Sequence, residues 1–161
     1  MSGIFIAVSD GDDLNSKVLH TTSGGHPHIT LFYSGANVPK KALVEMAPTA
    51  FVSIVEALPS VRLLPENAKL NIFFHDRQGA TRYDVLLHLT DADKEIVNRI
   101  RTLAKLHLEE HELDIKENTL SMGDPHITHS IHWNEAEAQA SLEAVQAHLP
   151  LEVQIVGFTI D

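Results

Sequence analysis

The chain contains no cysteine. Disulfide frameworks, thiolate metal sites and a cysteine nucleophile are thereby excluded, and catalysis must rest on histidine, acids or hydroxyls. Positive charge is also scarce: 12 Lys and Arg stand against 22 Asp and Glu, a formal charge of −10. Binding a long polyanion needs a basic track, so extended nucleic acid is not the expected partner. One or two phosphates can still be held by local His, Thr and backbone N–H groups. No Gly-x-Ser-x-Gly elbow occurs, which argues against a serine hydrolase. The opening Met1 to Val8 lacks a basic flank and is far too short to span a bilayer, so it reads as the first strand of a cytoplasmic protein without membrane attachment.

What is present is more telling. With 161 residues, 43% of them hydrophobic, the chain is long enough for one buried core or two small lobes sharing an interface; a single unit over 1–161, acting as a monomer, is expected. One tetrapeptide occurs twice, Pro27-His28-Ile29-Thr30 and Pro125-His126-Ile127-Thr128. In a strand, side chains two apart share a face, so each copy presents an imidazole beside a hydroxyl. Both copies follow a Gly-containing approach, Gly24-Gly25-His26 and Gly123-Asp124.

The surrounding pattern alternates strands and helices. Polar residues 10–25 suit a long loop, and residues 28–33 form a strand ended by Ser34-Gly35-Ala36-Asn37. A helical apolar pattern runs from Pro39 to Leu58, with Pro48 expected to kink or split it. Strands follow at 69–75 and 82–90, joined by a hairpin turn at 76–80. Thr90-Asp91 caps a helix reaching about His111, with Ile96, Ile100, Leu103 and His107 on one stripe. A strand at 126–133, a helix starting with the Asn134/Glu137 capping box and ending near His148, and a last strand at 151–160 complete the chain. Each motif strand precedes a helix and each half supplies three strands, so the pattern predicts an α+β fold built by duplication of one unit.

Two His-x-Thr motifs on strands, separated by 98 residues (126 − 28), resemble the 2H phosphoesterase superfamily. The resemblance takes in the strand Ile4 to Val8, the run His28 to Gly35, the central hairpin, and Pro125 to Thr128 before a final strand. It implies two pseudo-symmetric lobes, each an antiparallel sheet with outer helices, and a central cleft faced by both motifs. It further implies a phosphodiesterase that uses no metal and no cofactor. Small size and acidic balance favour a small cyclic nucleotide or cyclic oligonucleotide as substrate. The alternatives are a 2′,3′-cyclic phosphodiesterase acting on a short RNA end, and a module that binds a nucleotide without cutting it.

Cleaving a phosphodiester without a metal needs a base, an acid and donors to the phosphoryl oxygens. His28 and His126 are the expected acid–base pair, since imidazole titrates at about 6.5 and one copy can be neutral while the other is protonated. Which is base stays open, because a twofold arrangement makes them near-equivalent. Thr30 and Thr128 are the expected phosphate contacts. Simple alternation also puts Ser130 and His132 on the His126 face at the cleft rim, with His129 opposite. Tyr33 and Trp133, at the ends of the motif strands, are candidate base contacts, with packing as their competing role. His107-Leu108-Glu109-Glu110-His111 has zinc-protease spacing, but a charged helix end accounts for it and only 50 residues (161 − 111) remain to supply a third ligand and a cleft.

Overall fold

The computed structural model describes residues 2–9, 19, 27–34, 40–75, 79–110 and 123–160. Its elements in chain order are β1 (Ser2–Ser9), β2 (His28–Ser34), α1 (Lys40–Ala57), β3 (Ser60–Leu63), β4 (Ala68–His75), β5 (Ala80–His88), α2 (Asp91–Glu110), β6 (His126–His132), α3 (Glu135–Gln146) and β7 (Leu151–Ile160). The fold is α+β. One antiparallel sheet of seven strands runs in the order β3-β7-β1-β2-β6-β5-β4.

Alternation along the strands decides which face is buried. On β1, Ile4, Ile6 and Val8 are at most 1% exposed, and they share a core cluster with Ile29 of β2, Ile127 of β6, Val85 and Leu87 of β5, and the apolar residues of all three helices. The helices therefore cover this face: α1 lies over β7 and β1, α2 over β2 and beside α1, and α3 over β4, β5 and β6. The opposite face carries the alternate residues.

The sheet divides at its centre. β2 and β6 meet through one registered pair, Ile29 with Ile127, whereas the flanking pairs β1–β2 and β5–β6 each register six residues. The halves β3-β7-β1-β2 and β6-β5-β4 repeat each other beside the two motifs. Val8 N–H donates to the Pro27 carbonyl at 3.0 Å, and Leu89 N–H donates to the Pro125 carbonyl at 3.2 Å. In each half a β-bulge follows the motif directly, at Leu31 in β2 and at His129 in β6. Around the two motifs the halves thus match, but they hold four and three strands rather than the three each expected from the pattern.

Side-chain caps mark the starts of two helices. Thr90 Oγ1 accepts from Asp93 N–H at 3.3 Å at the start of α2, and Asn134 Oδ1 accepts from Glu137 N–H at 3.1 Å at the start of α3, as N-caps do. Three details differ from expectation. Helix α1 does not split at Pro48: Pro48 is exposed and so is Val44 one turn earlier, which leaves the unpaired carbonyl to water. Strand β3, four residues between two prolines, was not predicted; it pairs with β7 and buries Val61 and Leu63. The buried side of α2 is Val97, Ile100, Arg101 and Ala104, while Leu103 is 57% exposed.

That rotation of α2 brings a charge inward. Arg101, 8% exposed, donates from Nε to the Leu31 carbonyl at 3.0 Å, from Nη2 to the Thr30 carbonyl at 2.7 Å, and from Nη1 to the Gly123 carbonyl at 3.0 Å and Asn98 Oδ1 at 3.2 Å. Bulging β2 at Leu31 takes carbonyls out of the ladder, and the planar five-donor guanidinium satisfies them together with the turn that leads into β6. Burial lowers its pKa to about 10, which still leaves it charged at neutral pH. Replacing Arg101 by Leu is expected to destabilise the fold by about 3 kcal/mol, because buried carbonyls lose charged donors. Arg101→Lys should recover only part, since one ammonium cannot span three carbonyls. Urea unfolding midpoints of the three proteins measure this.

Candidate active site

Residues paired across a sheet share a face, so the Ile29–Ile127 pair fixes the positions of both motifs. Ile29 and Ile127 point into the core; their neighbours His28 and Thr30, and His126 and Thr128, therefore lie together on the opposite face. Antiparallel direction sets His28 on the Thr128 side and Thr30 on the His126 side. All four are partly exposed. The adjoining strands agree: His28 stands opposite Ala7 and Thr30 opposite Phe5, and the Phe5 ring meets the His28 ring edge-on at 5.1 Å. Likewise Thr128 stands opposite Leu86 and His126 opposite His88. The two imidazole-and-hydroxyl pairs expected from the repeat are brought to one seam.

His126 has a defined tautomer in its neutral form. Its Nδ1 lies 2.7 Å from the Asp124 carbonyl oxygen; a carbonyl can only accept, so Nδ1 carries a proton, and in the neutral ring the lone pair is on Nε2. Burial holds the His126 pKa below the ordinary imidazole value, opposed by that hydrogen bond and by Asp84, and reinforced by the positive charge of Arg101 and the proximity of His28. The turn that supplies the carbonyl is itself held from α2, through Arg101 on Gly123 and through Lys94, whose Nζ is 3.1 Å from Asp124 Oδ2. The same Lys94 contact draws the Asp124 pKa down. Gly123 sits at φ +68°, which glycine adopts without strain.

Two further polar neighbours, not among the residues expected from the motifs, lie on this face. His88 is one; its ring centroid is 5.7 Å from that of His126, and burial, then His126, lower its pKa. Asp84 is the other, 4% exposed, with Oδ1 2.9 Å from Arg82 Nε and Oδ2 accepting from Nη2 at 3.0 Å. Burial raises the Asp84 pKa, with Arg82 pulling it back. Alternation from Tyr83, Val85 and Leu87 already assigns Asp84 and His88 to the other face, and that was the available signal.

Ser130 and His132 do not share the His126 face. The bulge at His129 inserts one residue, so Ser130 pairs with Val85 and His132 with Tyr83, both on the helix-covered face. Ser130 is 1% exposed; its Oγ meets Ser141 Oγ of α3 at 3.0 Å, His132 Nε2 at 2.8 Å and His129 Nδ1 at 3.0 Å. A hydroxyl has one donor and two acceptor sites, and three partners fill them. Trp133, just past β6, is 58% exposed. The backbone of Tyr33 pairs with Gly3, while its side chain, like His26 and His111, lies outside the described residues. Among the described residues, no cluster of three or more His, Asp or Glu has a metal-binding arrangement.

No protein-family profile matches the chain, and no curated protein sequence matches it. Among solved structures, Kluyveromyces marxianus Usb1 with uridine monophosphate is similar over 99% of this chain and 96% of that one, with a TM-score of 0.47 at 9% identity. Kluyveromyces marxianus Usb1 in a second structure gives a TM-score of 0.44 at 11% identity over the same shares. Neither likeness bears on activity.

The placement of Ser130 is directly testable. Ser130→Ala is expected to cost about 1–3 kcal/mol through the unpaired groups it leaves, while kcat on any substrate of the wild type changes by less than about twofold. A large kcat loss in a fully folded variant would put the hydroxyl at the cleft instead.

Proposed function

We propose that this chain, as one bilobal unit, is a phosphodiesterase in which His28 and His126 exchange protons with the attacking and leaving oxygens and Thr30 and Thr128 hold the phosphoryl oxygens. The observation that carries this reading is the Ile29–Ile127 register, which gives all four side chains a common face. Proton transfer by two imidazoles, with hydroxyl donors for the developing charge, is sufficient chemistry for phosphodiester cleavage without a metal.

The substrate class we infer is a nucleotide phosphodiester presented singly: a cyclic mononucleotide or cyclic oligonucleotide, or the 2′,3′-cyclic phosphate end of a short RNA. All three offer one phosphate to two imidazoles and two hydroxyls. The formal charge of −10 favours such compact anions over an extended strand, whose many phosphates would meet the acidic surface.

Protonation gives the reading a sign. A lone pair on one imidazole is required, and the histidine with the lowered pKa, His126, supplies it. The acidic limb of the pH–rate profile is therefore expected below the ordinary value of 6.5, with activity rising as pH rises through it. A panel of 2′,3′-cyclic mononucleotides, cyclic di- and trinucleotides and short RNAs with cyclic phosphate ends is the assay. His28→Ala and His126→Ala should each lose about 10²–10⁴-fold in kcat, the threonine variants should lose less, and EDTA should leave the wild-type rate unchanged. Tight binding without turnover would make the chain a nucleotide-binding module, and full activity in both histidine variants would remove the site from consideration.

A further inference from the structure

The two halves of the sheet repeat each other around the motifs but differ at one position. His28 stands opposite Ala7, and His126 stands opposite His88. Three observations make Ala7 and His88 equivalent positions. Each pairs with the motif histidine; each lies two residues past the partner of the motif threonine, Phe5 for Thr30 and Leu86 for Thr128. Each also precedes the residue whose N–H binds the motif proline's carbonyl, Val8 to Pro27 and Leu89 to Pro125. Where one half carries a methyl group, the other carries an imidazole.

That imidazole is close and partly enclosed. The His88 and His126 rings are 5.7 Å apart between centroids and tilted by 50°, and His88 Nδ1 is buried without a hydrogen-bond partner. We propose that His88 is a positioning residue that breaks the twofold equivalence of the site, making His126 the proton acceptor and His28 the proton donor. This rests on the phosphodiesterase reading.

The groups around His126 all bear on the assignment. A proton on its Nε2 would meet Arg101 of α2 and His28 across the seam on β2; His88, whose own pKa is lowered by burial and by His126, acts on His126 as an adjacent uncharged ring that keeps water away. Lys94 of α2 and Lys69 of β4 add positive charge beside His88. Asp84 pulls the other way but is paired with Arg82, and Asp124 binds Lys94. Burial is what disfavours the charged form of His126, and the His88 ring packed beside it adds to that burial, while Nδ1 of His126 already donates to a carbonyl. The neutral form of His126, with a lone pair on Nε2 that can take a proton, is thereby favoured.

In the step itself, His126 Nε2 removes a proton from water as the water oxygen bonds to phosphorus. The bond from phosphorus to the leaving ribose oxygen breaks, and the His28 imidazolium protonates that oxygen. One water is added across one P–O bond, and the two histidines return to their starting states by proton exchange with solvent.

Two experiments test the proposal. The first is an NMR titration of His126 in the full chain, labelled with ¹⁵N in its imidazoles, for wild type, His88→Ala and His88→Asn. The wild type should show the Nδ1–H tautomer with a midpoint below 6.5, and both variants should move that midpoint upward. An unmoved midpoint in folded variants overturns the role of His88, whether or not the protein cuts a phosphodiester. The second replaces the ribose leaving group by p-nitrophenolate, which departs without a proton. The His28→Ala deficit of about 10²-fold or more should then shrink below about tenfold, while that of His126→Ala persists. Rescue of His126→Ala instead would reverse the polarity and overturn the proposal. A shifted midpoint without turnover of any substrate would support the His88–His126 coupling and sink the phosphodiesterase reading.

Discussion

One cross-strand pair, Ile29 with Ile127, sets everything else on the candidate site. Two apolar side chains meeting in the core oblige their neighbours on each strand to turn the other way, and those neighbours are the four polar residues of the two motifs. The constraint is geometric rather than electrostatic. A seam of one registered pair between two well-paired half-sheets would be a weak join alone; the shared helix-side core and Arg101 make it firm.

The near-symmetry of the halves and the departure from it serve different ends. Repetition of the proline carbonyl contact and of the bulge places equivalent groups on either side of the seam. Departure at Ala7 and His88 gives those groups unequal surroundings. The proposed phosphodiester cleavage would use both properties, because attacking and departing oxygens lie on opposite sides of phosphorus and require opposite proton transfers.

Much of this was legible in the sequence, and the reasons for the rest are specific. His28, Thr30, His126 and Thr128 could be placed because they sit within four residues of short, strongly β-forming runs, before any irregularity accumulates. Ser130 and His132 could not, because a bulge advances the strand by one residue and reverses every later side chain; nothing in His-Ile-Thr-His-Ser announces it. Strand β3 is too short for alternation to outweigh its flanking prolines. Arg101 was hidden differently: a helical stripe is drawn through apolar residues, and a buried cation appears only once the bulge carbonyls that need it are known.

The shared guanidinium also says something about motion. Arg101 reaches the backbone beside the first motif and the turn before the second, so neither strand can drift from the other without breaking contacts made by a single side chain. Breathing of the seam and loosening of α2 are therefore one excursion, not two, and belong to the same cooperative unit as the core. The four motif side chains would then keep their spacing for as long as that unit stays folded.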